Sequence, residues 1–318
     1  MLTCDSVVLF RELESILGRP IRDLERSLSP YSSSFRIEEL KVLFKDGSRA
    51  NVIFKDMGPS GVIPNSRGVK PMFLTDPRRE AEVYRKLLRL LNLGTAYFYG
   101  SALHPEQERF WMFLEAVEGR ELCQIGDFEA WLEAARWLGR FQKAIQHHPT
   151  DIRSAIPELF HWHSSVSLVW LERARRFTGS QLEEVYEYLE TIVPLLEQLP
   201  QTLLHGDFNA SNILIQQSEF GLRVCPVDWE MSATGPALMD LAALSSGNWN
   251  RRDRLKMMDT YLAELSPHLH PKDPERALDA CQAYLALQWL GWSKAWQPRS
   301  GCDHDWLSQI HQLCRGIA

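Results

Sequence analysis

The sequence lacks an apolar run long enough to cross a membrane. No stretch of 18 apolar residues occurs, and the short run from Val7 to Phe10 is followed at once by Arg11 and Glu12. A membrane-spanning helix needs about 20 apolar residues, and the core of a signal peptide is also longer than this run. We therefore expect a soluble, cytoplasmic chain with no membrane partner.

The chain also lacks a Cys-x-x-Cys pair and an excess of positive charge. Its six cysteines are irregularly spaced, which favours reduced thiols over a disulfide framework. The 35 Lys and Arg residues are outnumbered by 41 Asp and Glu residues, so the net charge is −6. A nucleic-acid-binding protein normally carries a basic stripe, and we expect no nucleic-acid partner. A neutral or cationic small substrate suits this charge better.

The pattern of apolar residues predicts two lobes of different kinds. At 318 residues the chain is longer than one hydrophobic core usually allows. The segments 35–44 and 49–55 are rich in strand-forming residues, and Asp46-Gly47 between them is a hairpin signal. Residues 1–115 are therefore predicted to form a lobe with an antiparallel sheet, and residues 116–318 a larger and mainly helical lobe.

Apolar residues at helical spacing mark the predicted helices. In the first lobe, one helix is expected to open at Asp76-Pro77 and to run through Leu91. In the second lobe, helices are expected over 128–146, 164–177, 181–199, 251–265, 274–296 and 304–316.

The segment from Leu203 to Ile215 carries the most informative motif. It places His, Asp and Asn at the spacing H-x-D-x-x-x-x-N between two apolar stretches, and a further acid, Asp228, follows. Protein kinases use this layout for a catalytic base and two Mg²⁺ ligands. Asp207 is the candidate base, and Asn212 and Asp228 offer the oxygen ligands that Mg²⁺ prefers. The alternative is a solvated loop with turn-forming residues, but the match in order and spacing favours phosphoryl transfer.

A kinase also needs a lysine on a strand and a glutamate on the following helix. Lys55 ends an apolar strand, and Glu80 lies in the first turns of the predicted helix. Glu82 is the rival, but it lies about 200° around the helix from Glu80, so only one of the two can face Lys55. For each residue the alternative is an exposed surface charge.

No glycine-rich loop lies between the first two strands. This position carries a run of serines, in which Ser32, Ser33 and Ser34 are the candidate phosphate contacts. Backbone N–H groups and hydroxyls can cover phosphates without glycine. An ordinary polar hairpin loop explains the same residues equally well, and both readings stay open.

Three segments resemble the aminoglycoside phosphotransferase and choline kinase group of small-molecule kinases. They are His205 to Asn212, Val227 to Glu230 and Gly235 to Ala242. The His-Gly-Asp form and the Asp-Trp-Glu form are typical of that group, whereas protein kinases carry His-Arg-Asp and Asp-Phe-Gly. The resemblance implies a two-lobed, protein-kinase-like α+β fold and the use of ATP and Mg²⁺.

The resemblance also implies roles for individual residues. Asp207 would be the base, Asn212 and Asp228 the metal ligands, and Lys55 with Glu80 the phosphate-positioning pair. The segment from Glu115 to Val117 would be the hinge that meets the adenine, and Asp240 would buttress the catalytic loop. One departure is Gln142, at a position where the group often has histidine.

The sequence thus predicts a kinase that phosphorylates a hydroxyl group of a small molecule. Acceptors of this kind include an aminoglycoside, a choline-like alcohol, or an amino or sugar alcohol, and a cationic acceptor is one of the alternatives. A catalytically silent protein that binds nucleotide or a small ligand is the other hypothesis, since the glycine-rich loop is missing. A protein kinase is disfavoured by His205-Gly206-Asp207 and by the lack of an Ala-Pro-Glu run after Asp228. The sequence identifies neither the acceptor nor the oligomeric state.

Overall fold

The chain divides into two units, Met1–Gly119 and Arg120–Ala318. The fold comes from a computed structural model, which describes residues 6–32, 34–66, 68–148, 151–219, 221–292 and 304–317. The sequence-based boundary lies at residue 115, a few residues before the division at Gly119. No helix in these ranges is long and apolar enough to cross a membrane.

Unit 1 is built on a five-stranded antiparallel sheet with the strand order β1-β2-β3-β5-β4. Its elements in chain order are α1 (Ser6–Leu17), β1 (Ile21–Leu28), β2 (Ile37–Phe44), β3 (Arg49–Asp56), α2 (Arg79–Val83), a π-helical turn (Tyr84–Leu88), α3 (Arg89–Leu91), β4 (Phe98–His104) and β5 (Arg109–Glu115). The helix expected from Asp76 therefore begins at Arg79 and changes its winding over one turn.

One hydrophobic cluster of unit 1 lies on one face of this sheet. Side chains of β2 alternate between buried and exposed positions, as a strand with one covered face requires. Phe54 on β3 is fully buried, and its ring lies 5.5 Å from that of Trp111 and 5.3 Å from that of Phe113 on β5. Leu9 and Leu13 of α1 pack into the same cluster. The aromatic stack fixes β3, the strand that carries Lys55.

Unit 2 is mainly helical and carries short strands between its helices. Its elements are β6 (Arg120–Glu121), α4 (Phe128–Gln146), α5 (Ile152–Ala155), β7 (Phe160–His161), α6 (Ser165–Thr178), α7 (Glu183–Gln198), β8 (Gln201–Leu204), β9 (Ile213–Ser218), β10 (Gly221–Pro226), β11 (Ala233–Pro236), α8 (Met239–Leu244), α9 (Arg251–Glu264), α10 (Pro274–Leu290) and α11 (Trp306–Ile317). The helix expected over 274–296 ends at Leu290 in the described residues, and its last expected positions lie outside them.

The short strands hold the segment that carries the opening motif. β8 ends at Leu204 and β9 begins at Ile213, so the residues between them form a loop closed by strands at both ends. β8 pairs with β11, which also pairs with β7. β9 pairs with β10 and with β6. Backbone ladders therefore position both ends of the loop.

Helix α4 supports this loop from the core of unit 2. It begins after Asp127, whose carboxylate accepts a hydrogen bond from the first helical turn, as an N-cap residue does. Trp137 and Phe141 lie one turn apart and therefore share a face. The Trp137 ring stacks on Phe208 at 5.9 Å, and the Phe141 ring meets Trp229 at 5.2 Å. Both partners are fully buried, so the loop is anchored to the helix by aromatic packing.

A buried polar pair joins α4 to α9. The Tyr261 hydroxyl donates to Gln142 Oε1 at 2.5 Å, and Gln142 Nε2 donates to the Ala237 carbonyl at 3.0 Å. Both side chains are fully buried. A buried polar atom that loses its partner costs about 1–3 kcal/mol, so this pair fixes how the two helices meet.

We expect Tyr261→Phe to lower the free energy of unfolding by about 1–3 kcal/mol, because Gln142 Oε1 loses its donor. Urea unfolding measures the change. Tyr186→Phe is the matched control, since Tyr186 is 50% exposed, and should change stability by less than about 0.5 kcal/mol. Equal effects of the two substitutions would contradict the assignment.

Candidate active site

The loop from His205 to Asn212 begins with a turn that only glycine fits. Gly206 has a φ of +83°, and a Cβ at this position would lie 2.1 Å from the Met231 carbonyl oxygen. Other residues rarely adopt this conformation, and the close approach excludes a side chain unless Met231 moves. The middle residue of the His-Gly-Asp motif is thus explained by packing.

Asp240 at the start of α8 holds the same turn. Its Oδ2 accepts from the His205 backbone N–H at 2.7 Å, and its Oδ1 accepts from the Gly206 N–H at 3.0 Å. Asp240 is 1% exposed. Burial raises its pKa to about 7; the two backbone hydrogen bonds lower the pKa, and the charge of Asp207 raises it. The carboxylate that buttresses the loop is therefore itself titratable near neutral pH.

His205 links the loop to the chain that precedes Asp228. Its Nε2 lies 3.0 Å from the Val227 carbonyl oxygen, and its Nδ1 lies 3.3 Å from the Asp207 backbone nitrogen. A carbonyl accepts and a backbone N–H donates, so the neutral tautomer with hydrogen on Nε2 satisfies both contacts. The ring is fully buried against Trp229, at 4.4 Å between centroids. This histidine is a structural link within the core of unit 2.

Asp207 receives hydrogen bonds from two side-chain amides. Asn212 Nδ2 donates to the Asp207 carbonyl at 3.0 Å and to Oδ2 at 2.8 Å. Asn209 Nδ2 donates to Oδ1. The structure therefore brings the predicted base and the predicted ligand Asn212 into direct contact. Asn209 was not predicted, although an asparagine two residues after the aspartate on the same loop was a signal for it.

Asp228 has a backbone conformation that is rare for a residue with a side chain. Its φ and ψ are 66° and 61°, in the left-handed region that costs energy for residues other than glycine. The preceding Val227 N–H donates to the Asn212 carbonyl at 2.9 Å, and Trp229 Nε1 donates to Pro226 O at 3.1 Å. The fold holds Asp228 in this conformation from both sides, as is common at functional sites.

The side chains of Asn212 and Asp228 carry oxygen atoms of the kind that a magnesium ion prefers. Because Asn212 uses Nδ2 in its bonds to Asp207, Oδ1 is the amide atom that can serve as a ligand. Within the ranges that the structure describes, no group of three or more His, Cys, Asp or Glu side chains could hold a metal alone. Mg²⁺ usually takes one or two carboxylates and completes its shell with phosphates and water. Such a donor set suits a metal that arrives with a nucleotide.

In unit 1, Lys55 pairs with Glu80. Lys55 Nζ lies 2.6 Å from Glu80 Oε2, and the two residues are 5% and 1% exposed. Glu82 instead contacts Arg85 at 2.5 Å and Lys86 at 2.8 Å. The contact that the sequence left open between two glutamates is thus made by Glu80. The role of the pair toward phosphates stays a prediction.

The serine-rich loop is stabilised within itself. Ser32 Oγ donates to the Ser29 carbonyl at 3.1 Å and accepts from Ile37 N at 3.0 Å. The Ser34 carbonyl accepts from Ile63 N at 3.1 Å. Ser33 lies outside the described residues. These bonds hold Ser32 and Ser34 in place, and the part of the loop in phosphate binding stays a prediction.

The predicted hinge residues lie at and after the end of β5. The Glu115 backbone N–H donates to the Tyr97 carbonyl at 2.8 Å, and its carboxylate accepts from the Tyr97 N–H at 2.9 Å. The Val117 carbonyl accepts from Gly119 N at 2.9 Å. Glu115 and Val117 are partly exposed. Contact with adenine stays a prediction for both.

Comparison with known proteins identifies the family and the fold of the chain. The APH family model, described as a phosphotransferase enzyme family, matches residues 66–281. No curated protein sequence matches the chain. Among solved structures, a microcompartment-associated aminopropanol kinase is similar with a TM-score of 0.67 and 13% identity, over 98% of this chain and 95% of that one.

Two further structures are similar over almost the whole length. Choline kinase from Cryptosporidium parvum Iowa II has a TM-score of 0.61 and 14% identity, over 98% of this chain and 94% of that one. The GDP complex of wild-type aminoglycoside 2'-phosphotransferase-IIIa has a TM-score of 0.57 and 14% identity, over 98% of each chain. These similarities confirm the predicted fold class, with a sheet-containing N-terminal part and a helical C-terminal part.

We expect Asp240→Asn to change how stability depends on pH. The ordinary pKa of 3.8 rises to about 7 in the folded protein, so the folded state keeps a proton that the unfolded chain releases. The stability that this proton contributes is present below about pH 4 and is lost as the pH rises through about 7. The variant cannot titrate here, so the unfolding free energy of the wild type minus that of the variant should fall by up to about 4 kcal/mol across this window.

Urea unfolding of both proteins between pH 4.5 and pH 8 measures this difference. The variant gives the baseline, because its amide has no proton to release in this range. A difference that does not change with pH would contradict the raised pKa.

Proposed function

The chain belongs to the phosphotransferase enzyme family, and from this premise we propose that it transfers the γ-phosphoryl group of ATP, with Mg²⁺, to a hydroxyl group of a small molecule. The observation that carries the proposal is the arrangement in unit 2. Asn212 bonds both to the carboxylate of Asp207 and, through its carbonyl, to the residue before Asp228. Asn212 is thus hydrogen-bonded directly to the proposed base and to the residue that precedes the second proposed metal ligand.

Asp207 acts as the base in this proposal. The acceptor hydroxyl gives its proton to the Asp207 carboxylate as its oxygen forms a bond to the γ-phosphorus. The bond from that phosphorus to the β–γ bridging oxygen breaks, and its electron pair leaves with ADP. Little covalent work falls to the protein in such a step, so holding the base in place is its main contribution. The hydrogen bonds that the side-chain amides donate to Asp207 serve that purpose.

Asn212 and Asp228 would hold the metal through Oδ1 and a carboxylate oxygen. Bound Mg²⁺ would supply neutralisation of the phosphate charge. The left-handed backbone of Asp228 orients its carboxylate, and the buried Trp229 ring keeps that orientation fixed. The strain is offset by the packing around the neighbouring residue.

Lys55 would contact the nucleotide phosphates. A lysine ammonium is a mobile point charge on a flexible stem, and the Glu80 carboxylate at 2.6 Å restricts where it can lie. Because both side chains are buried, removal of either one leaves an uncompensated charge. The pair therefore couples phosphate binding to the position of α2 against β3.

The acceptor that we favour is an amino alcohol or an aminosugar. The similar structures are named as kinases of aminopropanol and choline and as an aminoglycoside phosphotransferase, and these compounds share a hydroxyl group and a cationic nitrogen. The net charge of −6 is compatible with such a substrate. One of these structures is a GDP complex, so ATP and GTP should both be tried as donors.

We expect Asp207→Asn to lower kcat by about 10²- to 10⁴-fold, because the base is lost, and to change the Kd for ATP by less than about threefold. Transfer is measured by ³¹P NMR and nucleoside diphosphate release across a panel of amino alcohols, aminoglycosides and sugars. Asp259→Asn is the control, since Asp259 is an exposed aspartate on α9. Normal turnover of Asp207→Asn would contradict the assigned role.

We expect Asp228→Asn to remove the Mg²⁺-dependent part of ATP binding, because a carboxylate ligand is lost. Isothermal titration with ATP, with and without Mg²⁺, measures it. A wild-type protein that binds nucleotide but transfers phosphate to no acceptor would favour the catalytically silent alternative. A metal-dependent affinity that survives the substitution would exclude Asp228 as a ligand.

A further inference from the structure

We propose that Asn209 is a positioning residue that holds the Asp207 carboxylate in its reactive orientation. Its side-chain amide donates to Asp207 Oδ1, while Asn212 donates to Oδ2 at 2.8 Å. Each carboxylate oxygen thus has its own amide donor. The inference rests on the proposed function, in which Asp207 is the base.

The local chain explains why Asn209 reaches the carboxylate. Phe208 stands between the two residues, is fully buried, and stacks on Trp137. Its side chain points into the core, so the side chains on either side of it point away from the core and can meet. The Asn209 backbone is extended, with φ −79° and ψ 152°, and its carbonyl accepts from Asn212 N at 2.8 Å. The amide is therefore presented by an ordered turn.

The side-chain amides of Asn212 and Asn209 have different roles in the proposal. Asn212 would also offer Oδ1 to the metal, and the orientation of its amide would then be tied to metal binding. Asn209 is not a ligand in the proposed metal site. Its hydrogen bond to Asp207 Oδ1 can therefore persist with or without bound metal. An ionised carboxylate accepts about four hydrogen bonds, so the two amide donors do not by themselves fill it.

Two donors, one on each oxygen, restrain a rotation of the Asp207 carboxylate that a single donor does not restrain. The terminal torsion of an aspartate has a broad energy minimum, so a carboxylate that is held at Oδ2 alone can still turn about its Cβ–Cγ bond. The Asn209 amide at Oδ1 restrains that rotation. A base must lie within hydrogen-bond reach of the proton that it takes, so loss of this restraint should slow the chemical step more than it weakens nucleotide binding.

Three substitutions separate positioning from a structural role. Asn209→Ala removes the donor, Asn209→Asp replaces it with a second carboxylate of nearly the same shape, and Asn209→Gln keeps an amide on a longer stem. Asn248→Ala is the control, because Asn248 is an exposed asparagine of unit 2. For each variant, kcat and the KM for ATP are measured together with the melting temperature.

We expect Asn209→Ala to lower kcat about 10- to 100-fold, with the KM for ATP within about threefold, because only the orientation of the base is lost. Asn209→Asp should be at least as slow, since like charges at this distance repel, and Asn209→Gln should recover part of kcat. Asn209→Ala in an Asp207→Asn background should change kcat by less than about twofold, because no base is left to position. Full additivity of the two substitutions would mean a structural role only and would overturn the proposal.

The contact can also be tested without turnover. The melting temperature is measured for the wild type, Asn209→Ala, Asp207→Ala and the double variant. A direct bond makes the two shifts non-additive, which supports the proposal even if no acceptor is found, whereas additive shifts overturn it. A wild-type protein that transfers phosphate to no acceptor would overturn the proposed function instead, so the two failures can be told apart.

Discussion

The candidate site depends first on one carboxylate that accepts two backbone N–H groups. Asp240 holds His205 and Gly206 from inside the core of unit 2. The His205 side chain in this turn contacts the Val227 carbonyl, just before Asp228, and the backbone N–H of Asp207. Since backbone donors inside a protein need partners, the acid fixes the turn more firmly than side-chain packing alone could.

Around this anchor the molecule uses aromatic packing to set the directions of polar side chains. Phe208 and Trp229 each lie next to a proposed functional residue in the chain, and both are buried against α4. A buried ring between polar neighbours determines which way those neighbours point. Unit 1 uses the same device on β3, where the stacked Phe54 directly precedes the buried Lys55.

Much of this arrangement could be predicted because it is local in the sequence. The motif from His205 to Asn212 and the predicted strand that carries Lys55 are short segments whose pattern is visible in the sequence itself. Helix α4 likewise has the predicted bounds. The choice between Glu80 and Glu82 could not be made, because it depends on how the helix is turned against β3. Asn209 was missed for a related reason: its place on the loop is visible in the sequence, but its bond to Asp207 depends on how the chain turns around the buried Phe208. α1 was missed because its apolar run is short and interrupted by charges.

The glycine in the middle of the motif has a consequence for control of the enzyme. Protein kinases carry an arginine at this position, and in such enzymes basic side chains order the activation loop by pairing with an added phosphate. The Met231 carbonyl occupies the space that any such side chain would need. The turn is therefore ordered by steric fit and by two backbone N–H hydrogen bonds to Asp240. Both belong to the folded chain itself. A switch that works through a basic side chain at position 206 is therefore excluded by the close approach of Met231.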